Sequence, residues 1–246
     1  MNSRRFMLNK SHMMIPSQED MNIFRSKIVD WYEKNGRLYP WRETNDPFRV
    51  LIAELMLRRT KADQVKPVYE QFIKKYPDVD FLAEAKKEDL ERILYPLGLR
   101  WRIPAFQKMA REVREKYKSR IPENRDELTS LPGIGEYVAG AVLSIAYGKK
   151  EWLVDSNIVR ILKRYFGIEM SKEGRRDKHV VEITKSYVPA KDPRKAILGI
   201  LDITALVCKP GEPDCEKCPL MDHCCYAVSH AHSATMSNLK RIREEV

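Results

Sequence analysis

Four closely spaced cysteines place the strongest constraint on how this chain can fold. The pattern C-x6-C-x2-C-x5-C spans 17 residues and consists of Cys208, Cys215, Cys218 and Cys224. Thiols at such short, fixed spacings converge on one soft metal centre, either an iron–sulfur cluster or a zinc ion. Two structural disulfides are the alternative, but they belong to oxidising compartments and mainly to small secreted domains. A chain of 246 residues without a recognisable secretory signal does not fit that alternative.

Apolar residues recur at helical spacing through nearly all of the chain, and no alternating run is bounded by hairpin turns. This pattern predicts an all-α protein with little or no sheet. Helices are expected at 23–31, 48–57, 65–76, 90–97, 103–117, 138–147, 158–165, 180–187 and 196–207. Asp46, followed by Pro47, and Asp155 are the expected N-caps of two of them.

The charge balance predicts a polyanionic partner. There are 45 Lys and Arg against 35 Asp and Glu, which gives a net charge of +10 at pH 7. No apolar segment approaches the roughly 20 residues needed to cross a bilayer, so no membrane association is expected. Residues 1–14 lack the apolar core and cleavage site of a secretory signal. We therefore expect a cytoplasmic protein, associated with the nucleoid if its partner is DNA.

The segment 126–147 predicts two helices joined by the turn Leu-Pro-Gly-Ile-Gly at 131–135. The proline ends the first helix, and Gly133 and Gly135 allow a tight turn that exposes backbone N–H groups. Together with the dipole of the second helix, these groups form an anion site, and on a basic protein the expected anion is a DNA phosphate. A plain helix corner with a C-capping glycine is the alternative. The small residues at 139–141 favour the helix-hairpin-helix.

Taken together, this turn, Val154-Asp155 and the cysteine pattern resemble the endonuclease III/MutY superfamily of base-excision DNA glycosylases. The resemblance covers about 38–224. It implies two helical domains with a helix-hairpin-helix, a C-terminal cluster loop and a DNA-binding cleft between the domains. The expected bounds are a flexible N-terminus at 1–17, a six-helix hairpin domain at 40–149, a second helical domain at 18–39 plus 150–226, and a tail at 227–246.

The resemblance also assigns the cysteines and two carboxylates. It implies a [4Fe–4S] cluster rather than zinc, and the spacing favours Cys224 over the adjacent Cys225 as a ligand. Asp155 falls at the catalytic aspartate, where a carboxylate stabilises the oxocarbenium-like state that forms as the N-glycosidic bond breaks. On position alone, Asp155 is a helix N-cap. Glu54 matches a glutamate that faces the base pocket and protonates or hydrogen-bonds the leaving base; an ion pair with Arg58 is its alternative role.

Tyr137 decides the branch of the superfamily. Endonuclease III-like members carry a lysine at this position, whose amine attacks the sugar and then cuts the strand. A phenol forms no Schiff base, so the resemblance implies a monofunctional glycosylase that uses water and leaves an abasic site. Two lesser alternatives are a lyase that uses Lys149 or Lys150 and a non-catalytic DNA-binding module.

The sequence around Tyr137, together with 57–60 and 154–160, is most similar to the thymine/uracil-DNA mismatch glycosylases. These remove thymine or uracil opposite guanine. A MutY-like adenine glycosylase, acting on adenine opposite guanine or 8-oxoguanine, is the alternative. The helix at 139–144 favours the adenine enzyme, and the short segment after Cys224 disfavours it.

The expected partner is double-stranded DNA that contains a mismatched or damaged base, bound by a monomer. The backbone at Leu131, Gly133 and Gly135 would hold the phosphates beside the lesion. Arg59 lies near the position where relatives insert a side chain into the gap left by the extruded base. A phosphate contact is the alternative role for Arg59.

Overall fold

The structure, a computed structural model, describes residues 6–8, 14–98, 103–169, 171 and 174–229. Eleven α-helices make up most of this described part, which confirms the predicted all-α class. They are α1 (Gln18–Asn35), α2 (Pro47–Leu57), α3 (Ala62–Lys75), α4 (Val79–Ala83), α5 (Lys87–Leu94), α6 (Ile103–Tyr117), α7 (Arg125–Ser130), α8 (Glu136–Ala141), α9 (Ser156–Phe166), α10 (Lys178–Tyr187) and α11 (Pro193–Leu206). Within the described residues, no helix combines the length and apolar character that crossing a membrane requires.

Two short strands lie in the segment predicted to be a flexible N-terminus. β1 (Phe6–Leu8) and β2 (Met14–Pro16) are antiparallel, and β2 lies against α10. Three residues are too few to show the alternation that marks a strand. From residue 230 onward, the predicted tail lies outside the described residues.

The chain forms two compact units. The terminal unit comprises Met1–Gly36, Val154–Pro189 and Lys195–Val246, and the central unit comprises Arg37–Leu153 and Ala190–Arg194. The domain bounds drawn from the sequence stay a prediction.

The central unit is built around α2, which packs against α3 and α8. Asp46 caps α2 as predicted: its Oδ1 accepts hydrogen bonds from Phe48 N at 2.8 Å and Arg49 N at 3.3 Å. Glycine is required where α8 approaches the segment before the terminal unit, because a Cβ on Gly140 would lie 2.0 Å from the carbonyl oxygen of Trp152. After α8 the chain continues as one π-helical turn, Val142–Ala146.

In the terminal unit an aromatic cluster fills the core beneath α1. The ring of Phe24 lies 4.5 Å from that of Tyr165, 5.2 Å from that of Phe166 and 5.6 Å from that of Tyr187, measured between centroids. All four side chains are buried. This core joins α1, α9 and α10, and so supports the helix that Asp155 begins.

Candidate functional site

The turn between α7 and α8 exposes its two glycines, Gly133 and Gly135, to solvent. Gly133 has a φ of 81°, in the left-handed region that glycine adopts without steric cost. Gly135 is the extended N-cap of α8, and a Cβ placed on it would meet nothing within 4 Å. Leu131 is different, because its side chain is 2% exposed and packs into the unit. Any DNA contact from Leu131 is therefore left to its backbone.

A second segment of the central unit lies beside this turn. Arg58 follows the last residue of α2 and donates a hydrogen bond from Nη1 to Gly133 O at 2.9 Å. The next residue, Arg59, is exposed and has a φ of 65°. A cavity next to the turn is lined by Leu55, Arg58, Ala105, Phe106 and residues 132–135. The predicted positions Arg59, Gly133 and Gly135 thus belong to one part of the central unit.

Glu54 lies on α2 and Tyr137 lies on α8, and these two helices of the central unit pack against each other. Glu54 is 5% exposed in α2, among buried apolar neighbours. Tyr137 is the second residue of α8 and is half-buried. Removing a carboxyl group from water in this way costs free energy unless polar groups compensate it. The burial of Glu54 therefore favours a role in the site over that of a surface charge.

Asp155 belongs to the terminal unit and is the N-cap of α9. Its Oδ1 accepts hydrogen bonds from Asn157 N at 2.9 Å and Ile158 N at 2.8 Å. Its Oδ2 accepts one from Asn157 Nδ2 at 2.7 Å. The N-cap interpretation of Asp155 is therefore confirmed. The residue is half-buried, and these bonds fix the orientation of its carboxyl group.

A chain of hydrogen bonds runs from Asp155 to the cysteine loop. Asn157 Oδ1 accepts from Arg160 Nη1 at 2.7 Å. Arg160 in turn donates to Cys208 O from Nε at 3.0 Å and from Nη2 at 2.7 Å. Neither Asn157 nor Arg160 is among the site residues predicted from the sequence. Their three-residue spacing on α9 is the signal that places both side chains on one helical face.

The four cysteines of the sequence pattern all line one cavity of the terminal unit. Cys208 is buried, and the other three are half-buried. Arg164 Nη1 lies 3.6 Å from Cys208 Sγ. By contrast, the adjacent Cys225 is exposed, and its Sγ would lie 3.2 Å from a Cβ on Gly167.

Burial raises the pKa of Cys218 to about 12 and also raises the pKa values of Cys215 and Cys224. A bound metal favours the thiolate and so reverses this effect. In the part of the chain described, no three or more His, Cys, Asp or Glu side chains are grouped so as to hold a metal ion. The four thiols fit a thiolate-bound metal centre because they are soft ligands that line one cavity. Their present positions do not form a coordination site.

Comparison with known proteins places the chain among DNA repair proteins. The model of the HhH-GPD superfamily of base excision DNA repair proteins matches residues 52–186, more than half of the chain. A thymine/uracil-DNA glycosylase of Pyrobaculum aerophilum is 38% identical, and the match covers 86% of this chain and 94% of the relative. One from Methanothermobacter thermautotrophicus is 36% identical, with 83% and 93% covered. An adenine DNA glycosylase of Buchnera aphidicola is 33% identical, covering 82% of this chain but 58% of the relative.

Solved structures agree with these matches. A thermostable thymine-DNA glycosylase superposes with a TM-score of 0.81 at 35% identity, over 86% of this chain and 98% of that one. An endonuclease III–DNA complex shares the fold, with a TM-score of 0.73 at 23% identity over 88% and 99%. By its family match and its relatives, the chain belongs to the HhH-GPD superfamily of base excision DNA repair proteins.

Proposed function

We propose that this protein is a monofunctional DNA glycosylase that removes thymine or uracil opposite guanine. The observation that carries this proposal is Tyr137 at the beginning of α8, directly after the hairpin turn. A phenol has no amine with which to attack the sugar, so water completes the reaction and an abasic site remains. The relatives named thymine/uracil-DNA glycosylases, which match this chain over nearly their whole length, support the pyrimidine substrate.

Binding would begin at the hairpin turn. The backbone N–H groups of the exposed residues Gly133 and Gly135 would hold a phosphate, since Gly135 caps the beginning of α8 and neither residue carries a side chain. The target nucleotide must then leave the stack, which costs a few kcal/mol and least for a mispaired base. The exposed side chain of Arg59 would enter the gap or hold a neighbouring phosphate.

The two carboxyl groups would share the chemistry of the bond cleavage. Asp155, oriented by three hydrogen bonds, would stabilise the positive charge that develops on the sugar and orient the attacking water. Glu54, buried in α2, would protonate or hydrogen-bond the leaving base. Tyr137 would contact the extruded base.

The cysteine loop would hold a [4Fe–4S] cluster through Cys208, Cys215, Cys218 and Cys224. The superfamily includes members that carry such a cluster. When bound, the cluster would crosslink the loop and thereby stabilise it. The chain's own part is to bring four thiols to one cavity and to hold Cys208 O through Arg160.

DNA is the partner that the family implies. We further propose that the enzyme acts as a monomer on duplex DNA with a mismatched base, in the cytoplasm and in association with the nucleoid.

One experiment separates the proposed function from its alternatives. The protein is incubated with duplexes that contain G·T, G·U, G·A or 8-oxoguanine·A pairs, and each reaction is analysed with and without alkali. We expect strand breaks with G·T and G·U, and only after alkali. Breaks without alkali would contradict the monofunctional mechanism. Release of adenine alone would instead favour the second candidate, an adenine glycosylase, which the similarity to the Buchnera aphidicola enzyme supports.

A further inference from the structure

We propose that Arg125 is a positioning residue that fixes the beginning of α8, and therefore Tyr137, against the segment Glu151–Trp152. The proposal rests on the proposed function only insofar as Tyr137 contacts the substrate. All of these residues belong to the central unit.

One guanidinium group joins three parts of this unit. Arg125 Nη1 donates to Glu136 O at 3.0 Å and to Glu136 Oε2 at 2.9 Å. Its Nε and Nη2 both donate to Glu151 Oε2, at 3.0 and 2.6 Å. Nη2 also donates to Trp152 O at 2.6 Å, and the guanidinium carbon lies 4.1 Å from the centre of a Trp152 ring. The Arg125 side chain is 16% exposed, but that of Glu136 is 62% exposed and that of Glu151 is 30% exposed, so solvent screens the pair with Glu151 less than the pair with Glu136.

Two acceptor residues of Arg125 lie at the beginning of α8 and on the surface against which α8 packs. Glu136 is the first residue of α8 and directly precedes Tyr137. Trp152 O is also the atom that α8 approaches at Gly140, where a Cβ would come within 2.0 Å. Arg125 therefore holds the beginning of α8 and its packing surface at the same time.

The same contacts also hold the segment that leads along the chain to Asp155. Trp152 precedes Asp155 by three residues in the sequence. The bond to Trp152 O thus fixes the segment from which the chain continues to the proposed catalytic carboxylate. Lysine could not replace this arrangement, because a single ammonium group lacks the planar fork that meets several acceptors at once.

The test compares Arg125→Gln and Arg125→Lys with Arg114→Gln. Arg114 is the matched control, because it forms an ion pair with Glu84 in the same unit, away from the hairpin. Base release from a G·U duplex is measured in single turnover at saturating protein, well below the unfolding temperature of every variant. We expect a roughly tenfold slower rate for Arg125→Gln, a smaller loss for Arg125→Lys and no change for Arg114→Gln, since small misplacements near reacting groups are costly.

A second readout does not depend on activity. Amide hydrogen exchange in a peptide covering 131–140 should become faster in Arg125→Gln than in the wild type, and stay unchanged in Arg114→Gln. If wild-type protein releases no thymine or uracil, the proposed function fails, while the exchange result still judges the role of Arg125. Should Arg125→Gln not fold, Glu136→Gln takes its place, since it removes the hairpin-side carboxylate and leaves the Glu151 pair. A folded variant with wild-type rate and exchange would overturn the proposal.

Discussion

The carboxyl group of Asp155 caps the beginning of α9 and belongs to a residue that is only half-buried. Three hydrogen bonds hold its two oxygen atoms, and the sequence position alone predicts the two that come from backbone amides. The third, from the side chain of Asn157, and the link through Arg160 to Cys208 were not predicted. Helical periodicity identifies the face on which a residue lies, but it does not say which side chains on that face bond to one another.

The substitution Asp155→Asn separates the two roles of this carboxyl group. Asparagine is also a good N-cap, so we expect the melting temperature to change little. Base release should fall by at least about a hundredfold, because the negative charge that stabilises the sugar cation is lost. The measurement is single-turnover base release alongside DNA affinity, which should be kept. Asp46→Asn, at the matching cap of α2, is the control, and retained activity in Asp155→Asn would remove Asp155 from the mechanism.

The substitution Tyr137→Lys tests the residue that sets the reaction type. Its amine would lie at the beginning of α8, where the phenol now lies half-buried. We expect some strand cleavage without alkali and a covalent protein–DNA adduct after borohydride treatment, because an amine forms a Schiff base with the sugar. Tyr137→Phe controls for loss of the hydroxyl group. Absence of any trapped adduct from an active, folded variant would contradict the placement of residue 137 beside the sugar.

At the level of elements, the sequence pattern predicts most of the helices but not the short α4. The predicted segment 103–117 is α6, whereas α4 has no counterpart among the predicted segments, since five residues make little more than one turn. The π-helical turn after α8 was also not predicted, because it keeps the same apolar residues and changes only the backbone hydrogen bonds. Arg125 lies beyond any local pattern, because Glu151 is 26 residues away in the chain.

Alanine substitutions at Gly135 and Gly140 should have different effects on stability. At Gly135 an added methyl group meets nothing within 4 Å, so Gly135→Ala should fold with less than about 1 kcal/mol lost and yet bind DNA more weakly. At Gly140 it would collide with Trp152 O, so Gly140→Ala should be destabilised by about 1–3 kcal/mol. Thermal unfolding and DNA titration of both variants measure these effects. Equal DNA affinity of Gly135→Ala and wild type would contradict phosphate binding at this turn.

At the level of the whole molecule, the cysteine cavity predicts a coloured protein. We expect purified protein to be brown and to contain about four iron atoms per chain. Cys218→Ser should lose iron and lower the melting temperature, whereas Cys225→Ser, at the exposed neighbour of Cys224, should do neither. Absorption spectra and elemental analysis decide the matter. A colourless protein with stoichiometric zinc would overturn the cluster assignment.

Much of this molecule was predictable because its core signals are local. The cysteine spacing, the glycine turn and the N-cap aspartates each depend on neighbours within a few residues, and the structure keeps them in one cavity, one turn and two helix beginnings. The identity of the substrate base does not depend on such local signals. It depends on how side chains from separate segments shape a pocket, which no spacing along the chain records.

At Arg59 the backbone conformation and the proposed function favour different side chains. Its φ of 65° is a conformation that costs an arginine about 1 kcal/mol or more, whereas asparagine adopts it more readily. Selection for heat resistance alone would therefore favour asparagine at this position. Arg59→Asn should raise the melting temperature slightly and slow base release. A variant with a higher melting temperature and an undiminished rate of base release would show that the long side chain is dispensable. If base release slows as expected, the strained backbone at Arg59 is a cost in stability that accompanies the function of its side chain.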